Sequence, residues 1–194
     1  MEKCISVLDR DKSIIVCYSK TRVIDRNGKP IEDERLAHSF DARIDTMSSS
    51  PSVRLYNVIG VDYLCIQLYG VMRADMLRKT RVFKGYYSCD RNILAELALL
   101  GKISEFPDYL FFHRIYPEAL GGAIYSGRTL QELYLLDPGT DWNSRFSAFK
   151  VYLNYFGSVT RASIPFGEQI MCYLQLQRII LGKIAARIRR SLSR

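Results

Sequence analysis

The segment "GYYSCDRNILAELALLG", residues 85–101, places one carboxylate, Asp90, where a short polar knot gives way to an apolar helical pattern. A carboxylate at that junction has two chemical uses. It can cap the helix by accepting a backbone N–H, at about 1 kcal/mol. It can also act as a general base that takes the proton of an attacking hydroxyl. The two uses do not exclude each other, and Asn at position 90 would separate them, because an amide still caps but does not accept the proton. Tyr86 and Tyr87 lie just upstream. Their rings offer flat faces for stacking, or belong to ordinary core packing.

Three other groups have residue types suited to chemistry. Arg73 follows a strand-like run ending near Gly70, and Arg114 adjoins His113. A guanidinium fork matches a phosphate; the alternative for Arg73 is a solvated side chain, and for His113 a hydrogen-bonded structural ring. Asp9-Arg10-Asp11 spells D-x-D, but it ends a helical segment and precedes a strand, so it reads as a solvated turn. The five cysteines are scattered with no C-x-x-C pair, and the two histidines stand far apart. That pattern predicts reduced thiols and no metal site.

The elements that must hold these residues follow from apolar spacing. Residues 2–10 read as a helix with Ile5 and Leu8 on one face. "SIIVCYS" (13–19) is a short, β-branched apolar run, the pattern of a strand covered on both faces. Asn27-Gly28 marks a turn. Residues 33–52 are polar and predict a loop. "YLCIQLYGVM" (63–72) predicts a second buried strand broken at Gly70, with a short helix over 73–80. The helix after Asp90 takes Ser88 or Asp90 as N-cap, buries Ile93, Leu94, Leu97 and Ala98, and ends at Gly101 as C-cap. "KISEFPDYLFFHRIYP" predicts a strand bent at its proline. Three helical patterns follow, "GRTLQELYLL", "WNSRFSAFKVYLNYFG" and the tail helix that Pro165-Phe166-Gly167 precedes.

With 194 residues and 48% hydrophobic content, the chain has ample material for a packed core. Its net charge of +8 is uneven: from Trp142 onward there are nine basic residues and one acid, Glu168, so the tail holds all of the excess. In the tail helix Ile170, Leu174, Leu181, Ile184, Ile188 and Leu192 share a face. Arg178 and Arg189 flank that stripe on one side, and Lys183, Arg187 and Arg190 on the other. The pattern suits a helix lying in an anionic membrane surface; the other reading is a stripe packed on the domain with solvated arginines. Nucleic-acid binding is disfavoured, because no aromatics interleave with these basic residues. No apolar run reaches the ~18 residues of a membrane span, and the N-terminus lacks a signal-peptide layout. The expected location is cytoplasmic, with peripheral attachment at the inner face of the membrane.

Taken in order, "VCYSKTRVIDRNGKPIED", "YGVMRADMLRKT" and the segment from Gly85 through "FFHRIYPEA" resemble the second half of a bacterial family-2 glycosyltransferase, over about residues 1–120. The middle block is the most specific. The resemblance implies an α/β fold: a partial GT-A-like mixed sheet with flanking helices, plus a C-terminal helical appendage. On that division, residues 1–120 are the acceptor-side part of the GT-A domain and 121–194 a helical extension ending in the basic amphipathic helix. The implied activity is transfer of a sugar from a nucleotide-sugar donor to a saccharide or lipid-linked acceptor, in polysaccharide biosynthesis.

By the same resemblance, Asp90 occupies the place of the catalytic base, with Cys89 where Glu or Ser is common. Gly70 would line the acceptor side with Tyr86 and Tyr87, while Arg73 and Arg114 would face phosphate. Tyr116 stands in the usual His place before Pro117, which speaks against metal binding there. The family's nucleotide-binding units and metal-binding D-x-D precede the matched region. No cofactor is therefore expected in this chain, and a divalent metal, Mg or Mn, only with the N-terminal half. The nucleotide sugar and glycan acceptor would engage the complete enzyme. The alternative, from a different class, is a non-catalytic membrane-associated domain that retains the acceptor-side scaffold.

Overall fold

The computed structural model describes residues 1–32, 44–61, 63–82, 88–115 and 144–192. Tyr86, Tyr87, Tyr116 and the helical pattern "GRTLQELYLL" lie outside these residues.

Helix α1 (Glu2–Arg10) opens the chain and buries Cys4 and Leu8, one turn apart. The expected partner of Leu8, Ile5, is 41% exposed. The i, i+4 pair therefore faces inward, and Ile5 is rotated out of it. The chain then turns at Asp11, whose Oδ1 accepts the Ser13 backbone N–H at 2.8 Å and the Ser13 hydroxyl at 2.6 Å. These bonds, the hydroxyl first, hold the Asp11 carboxyl below the usual carboxylate range. The D-x-D spelling thus closes a turn, as expected.

Among the described residues, strand β1 (Ile14–Ile24) is the centre of a three-stranded mixed sheet, with Val71–Met72 on one side and Lys102–Arg114 on the other. It pairs parallel with β3 (Lys102–Arg114) and antiparallel with the two-residue edge strand β2 (Val71–Met72). One face of β1 packs on α1 through Ile14, Cys17, Cys4 and Leu8, and the other carries the main core. Cover on both faces explains the unbroken apolar run. Ser19 stands opposite Phe106 and Lys20 opposite Tyr109, so β3 bulges over Pro107 and Asp108. Proline has no N–H for the ladder, which places the bend there. After β1, Asp25 Oδ1 accepts the N–H groups of Asn27 and Lys29, both at 2.8 Å, and Gly28 takes a left-handed φ of 85°.

The run "YLCIQLYGVM" is not a strand along its length. Residues Ile66–Tyr69 form a 3-10 turn, and only Val71 and Met72 join the sheet. The reason lies at Gly70. A side chain there would come within 2.6 Å of the Cys17 carbonyl oxygen and 2.9 Å of Tyr18 Cβ. The chain passes backbone against backbone at Cys17 and Tyr18 just before it pairs with β1.

Helix α2 (Pro51–Ile59) begins inside what reads as loop. Ser50 is its N-cap, accepting the Val53 N–H at 3.5 Å, and Pro51 fills the first turn. The predicted short helix is α3 (Ala74–Leu77), and the helix at Asp90 is α4 (Cys89–Leu100). Helices α5 (Ser144–Arg161) and α6 (Phe166–Leu192) follow.

Leu55 and Val58 of α2, Leu94 and Leu97 of α4, Val159 of α5 and Leu176 of α6 are all fully buried, in one cluster with Ile15 and Val16 of β1. The last two helices thus share the sheet's core.

Buried polar groups tie these helices together. Arg54, 5% exposed, donates Nε to Ala98 O at 2.7 Å and Nη1 to Ser48 O and Ser49 O, both at 2.8 Å. A cation thereby sits on the carbonyl end of α4, where the helix dipole favours it. Glu168 of α6 lies at the opposite kind of terminus: its Oε2 accepts the Ser52 N–H and the Ser50 hydroxyl, both at 3.0 Å, at the start of α2. Burial works against this carboxylate, but the bonds from Ser52 and Ser50 and the charge of Arg54 outweigh it and hold its pKa below the ordinary value.

Candidate functional site

Helix α4 delivers the chain to β3: Gly101 donates its N–H to Leu97 O at 2.9 Å, and Lys102 donates to Ser13 O at 2.9 Å. Gly101 is extended, with φ −175°, so it does not form the left-handed cap expected of a terminal glycine. It is glycine because a Cβ would lie 2.6 Å from Ile15 Cγ2. The C-terminus of α4 is therefore fixed against the start of the parallel pair. Its first turn, with Asp90, lies about 18 Å along the helix from that point.

The N-cap position of α4 is Ser88, with φ 63° and no capping bond from its side chain. A left-handed serine is uncommon and carries local strain. Asp90 supplies the anionic group of the first turn, and its Oδ1 accepts the Arg91 backbone N–H at 2.7 Å. Asp90 is thus the second residue of the helix and not its N-cap; it satisfies one first-turn N–H from inside the helix.

The carboxylate is half-buried among specific neighbours. Cys65 lies within hydrogen-bonding reach of both Asp90 and Arg91; burial, then the Asp90 charge, push its thiol well above the ordinary value, so it stays protonated. The Arg91 guanidinium lies 4.9 Å from the Tyr63 ring centroid and donates to Tyr63 O at 3.2 Å. Burial foremost raises the Tyr63 and Tyr155 hydroxyls above their usual range. A carboxylate and a guanidinium therefore share a wall of neutral groups: half-buried Cys65 and the buried Tyr63 and Tyr155.

The same segments carry polar atoms with unused bonding capacity. Tyr63 Oη, both amide atoms of Gln67 and Asn92 Oδ1 are buried and have no hydrogen-bond partner among the described residues. A buried polar atom left unpaired costs about 1–3 kcal/mol. Four such atoms fall within residues 63–67 and the first turn of α4, where unpaired polar atoms call for an explanation. Sequence reasoning missed Gln67 and Asn92. For Gln67 the available signal was an amide inside an otherwise apolar run; Asn92, next to Asp90-Arg91, carried no such signal.

The other expected site residues fall elsewhere. Gly70 packs on the β1 backbone, as described above. Arg73 donates Nε to Ile14 O at 3.0 Å and Nη2 to Leu8 O, so its guanidinium joins the end of α1 to the start of β1. Arg114 donates Nη1 to Arg26 O at 2.6 Å, at the turn after β1. His113 sits beside Tyr69 and Phe111, whose rings stack at 5.0 Å, and burial lowers its pKa. Tyr69 is 63% exposed, an accessible ring beside Gly70 that composition alone did not single out.

A separate groove of about 560 Å³ is lined by Arg54, Lys79, Glu96, Ser158, Arg161 and Ile164, among others, and Asp90 is not one of them. Among the described residues no three metal-ligating side chains come together. None of the five cysteines forms a disulfide.

Comparison with protein-family models, with characterised proteins and with solved structures gives no match.

Proposed function

We propose that this chain provides the acceptor side and the general base of a sugar transferase, with Asp90 as the base. The observation that carries the reading is the setting of Asp90: a half-buried carboxylate in the first turn of a rigid helix, beside buried polar atoms with unused bonding capacity. In open α/β sheets, ligand crevices lie outside the carboxyl ends of the strands. Helix α4 reaches the sheet at the strand starts, so its first turn is at the other end of the helix.

In this reading the acceptor hydroxyl gives its proton to Asp90 as its oxygen bonds to the anomeric carbon of the donor sugar. The bond from that carbon to the nucleoside diphosphate breaks, and the diphosphate leaves with the electron pair. Gln67, Asn92 and Tyr63 would bind the acceptor's other hydroxyls. Tyr69, with Tyr86 and Tyr87, would offer ring faces to the sugar. The nucleotide sugar and its divalent metal, Mg or Mn, would be held by residues outside this chain, and Arg114, at the carboxyl end of β3, retains guanidinium donors for phosphate; Arg73, bound at the start of β1, lies at the other end of the sheet. The acceptor is a saccharide or a lipid-linked sugar.

The test is an NMR titration of the isotope-labelled chain with a panel of soluble oligosaccharides. The side-chain amide signals of Gln67 and Asn92 and the Arg91 resonances should shift together, with saturation. Shifts confined to exposed surface residues, with those amides unmoved, would count against the assignment.

A further inference from the structure

We infer that α6 is a membrane-docking helix whose outward face lies in the surface of an anionic bilayer. The inference does not depend on sugar transfer. Helix α6 has 27 residues and is about 40 Å long. It packs on the domain through Cys172, Leu176 and Ile179. At 100° per residue, Phe166, Ile170, Leu174, Leu181, Ile184 and Ile188 fall within an arc of about 80° on the opposite side, interrupted by Gln177. The stripe noted in the sequence is therefore not the packing face. Leu181, Ile184 and Ile188 are 65%, 50% and 54% exposed, and no described residue covers them.

Charge selects the occupant. The helix carries Arg178, Lys183, Arg187, Arg189 and Arg190, and Glu168 is its one acid, already bound at the start of α2. Arg178 and Arg189 stand on one shoulder of the stripe. The Arg178 guanidinium lies 5.5 Å from the Tyr56 ring centroid, and the Lys183 ammonium 5.9 Å from that of Tyr152, so these two cations lie close to the domain surface. An apolar stripe with a basic shoulder and no acidic complement fits a lipid surface of negative charge. A second copy would bring like charges together across the same stripe. No helix among the described residues is long and apolar enough to cross a membrane, so the contact proposed is one of lying on the surface.

The test is flotation of the full chain with vesicles of phosphatidylcholine alone and of phosphatidylcholine with phosphatidylglycerol, at low and high salt. The chain should float with the anionic vesicles only, and less at high salt. L181D combined with I184D changes two exposed positions, and circular dichroism melting checks that the fold is kept. It should lower partitioning about a hundredfold or more. R178Q and R189Q should lower it about fivefold each. The inference is overturned if the chain stays behind with anionic vesicles, if it floats equally with neutral ones, or if the double variant floats like the parent. It is also overturned if sedimentation shows a dimer that the double variant dissolves while no vesicle binding occurs.

Discussion

Replacing Glu96 with Ala should destabilise the fold by about 2–3 kcal/mol, and the structure sets that figure. Glu96 is 7% exposed in the middle of α4. Its Oε2 accepts the Arg81 backbone N–H at 2.7 Å, and its Oε1 accepts the Ser158 hydroxyl and Arg161 Nη2, each at 2.7 Å. The Arg161 side chain is 37% exposed, so the ion pair itself contributes no more than about 1 kcal/mol. Ser158 retains a second acceptor, the Asn154 carbonyl at 2.8 Å. The main loss is the partly buried Arg81 N–H, about 1–2 kcal/mol, together with about 1 kcal/mol for the buried methylenes. In urea, with a slope of about 1–3 kcal/mol per M, the midpoint should fall by about 1 M or more, and R161M should cost about 1 kcal/mol or less. An E96A midpoint within about 0.3 M of the parent, or an R161M loss as large as that of E96A, would refute this ranking of the three bonds.

Two further substitutions test the packing. G70A should destabilise by about 1–3 kcal/mol, because its Cβ would meet the Cys17 carbonyl at 2.6 Å; thermal melting measures it, and an unchanged melting temperature would show that β1 and the 66–69 turn are not in that contact. E168Q should cost about 1 kcal/mol at neutral pH as a weakened cap of α2. Because the folded-state pKa of Glu168 is lowered, its stabilisation is present above the ordinary value of 4.5 and is lost as pH falls through the lower folded value. The gap between parent and variant should close on that acidic side; a gap independent of pH would point to packing instead.

The sequence showed most clearly those elements whose pattern has one physical source. A run buried on both faces, Ile14 to Tyr18, and a helix with an apolar face, Ile93 to Leu99, both form where expected. Helix α2 was hidden because its inward side includes Arg54 and Ser52, which are buried through partners distant in sequence. The run 63–72 looked like a strand because hydropathy does not report that Gly70 must pass against the β1 backbone. Asp90 was legible as a chemical group at a helix start. Its surroundings were not, since Tyr63, Cys65 and Tyr155 come to it only through tertiary packing around the first turn of α4. The tail stripe was legible as a face, but its direction was not. Only the burial of Cys172, Leu176 and Ile179 fixes which side points away from the domain.

The central claim rests on the Asp90 carboxylate as proton acceptor, and D90N tests it most directly. The amide oxygen can still accept the Arg91 N–H, so the first turn should persist. The measurement is the rate of sugar transfer from labelled nucleotide sugars to endogenous acceptor, in lysates of the native cells carrying either form at equal level. The account predicts a loss of about 10²-fold or more with an unshifted melting temperature. A D90N lysate that transfers sugar at the parental rate would contradict it.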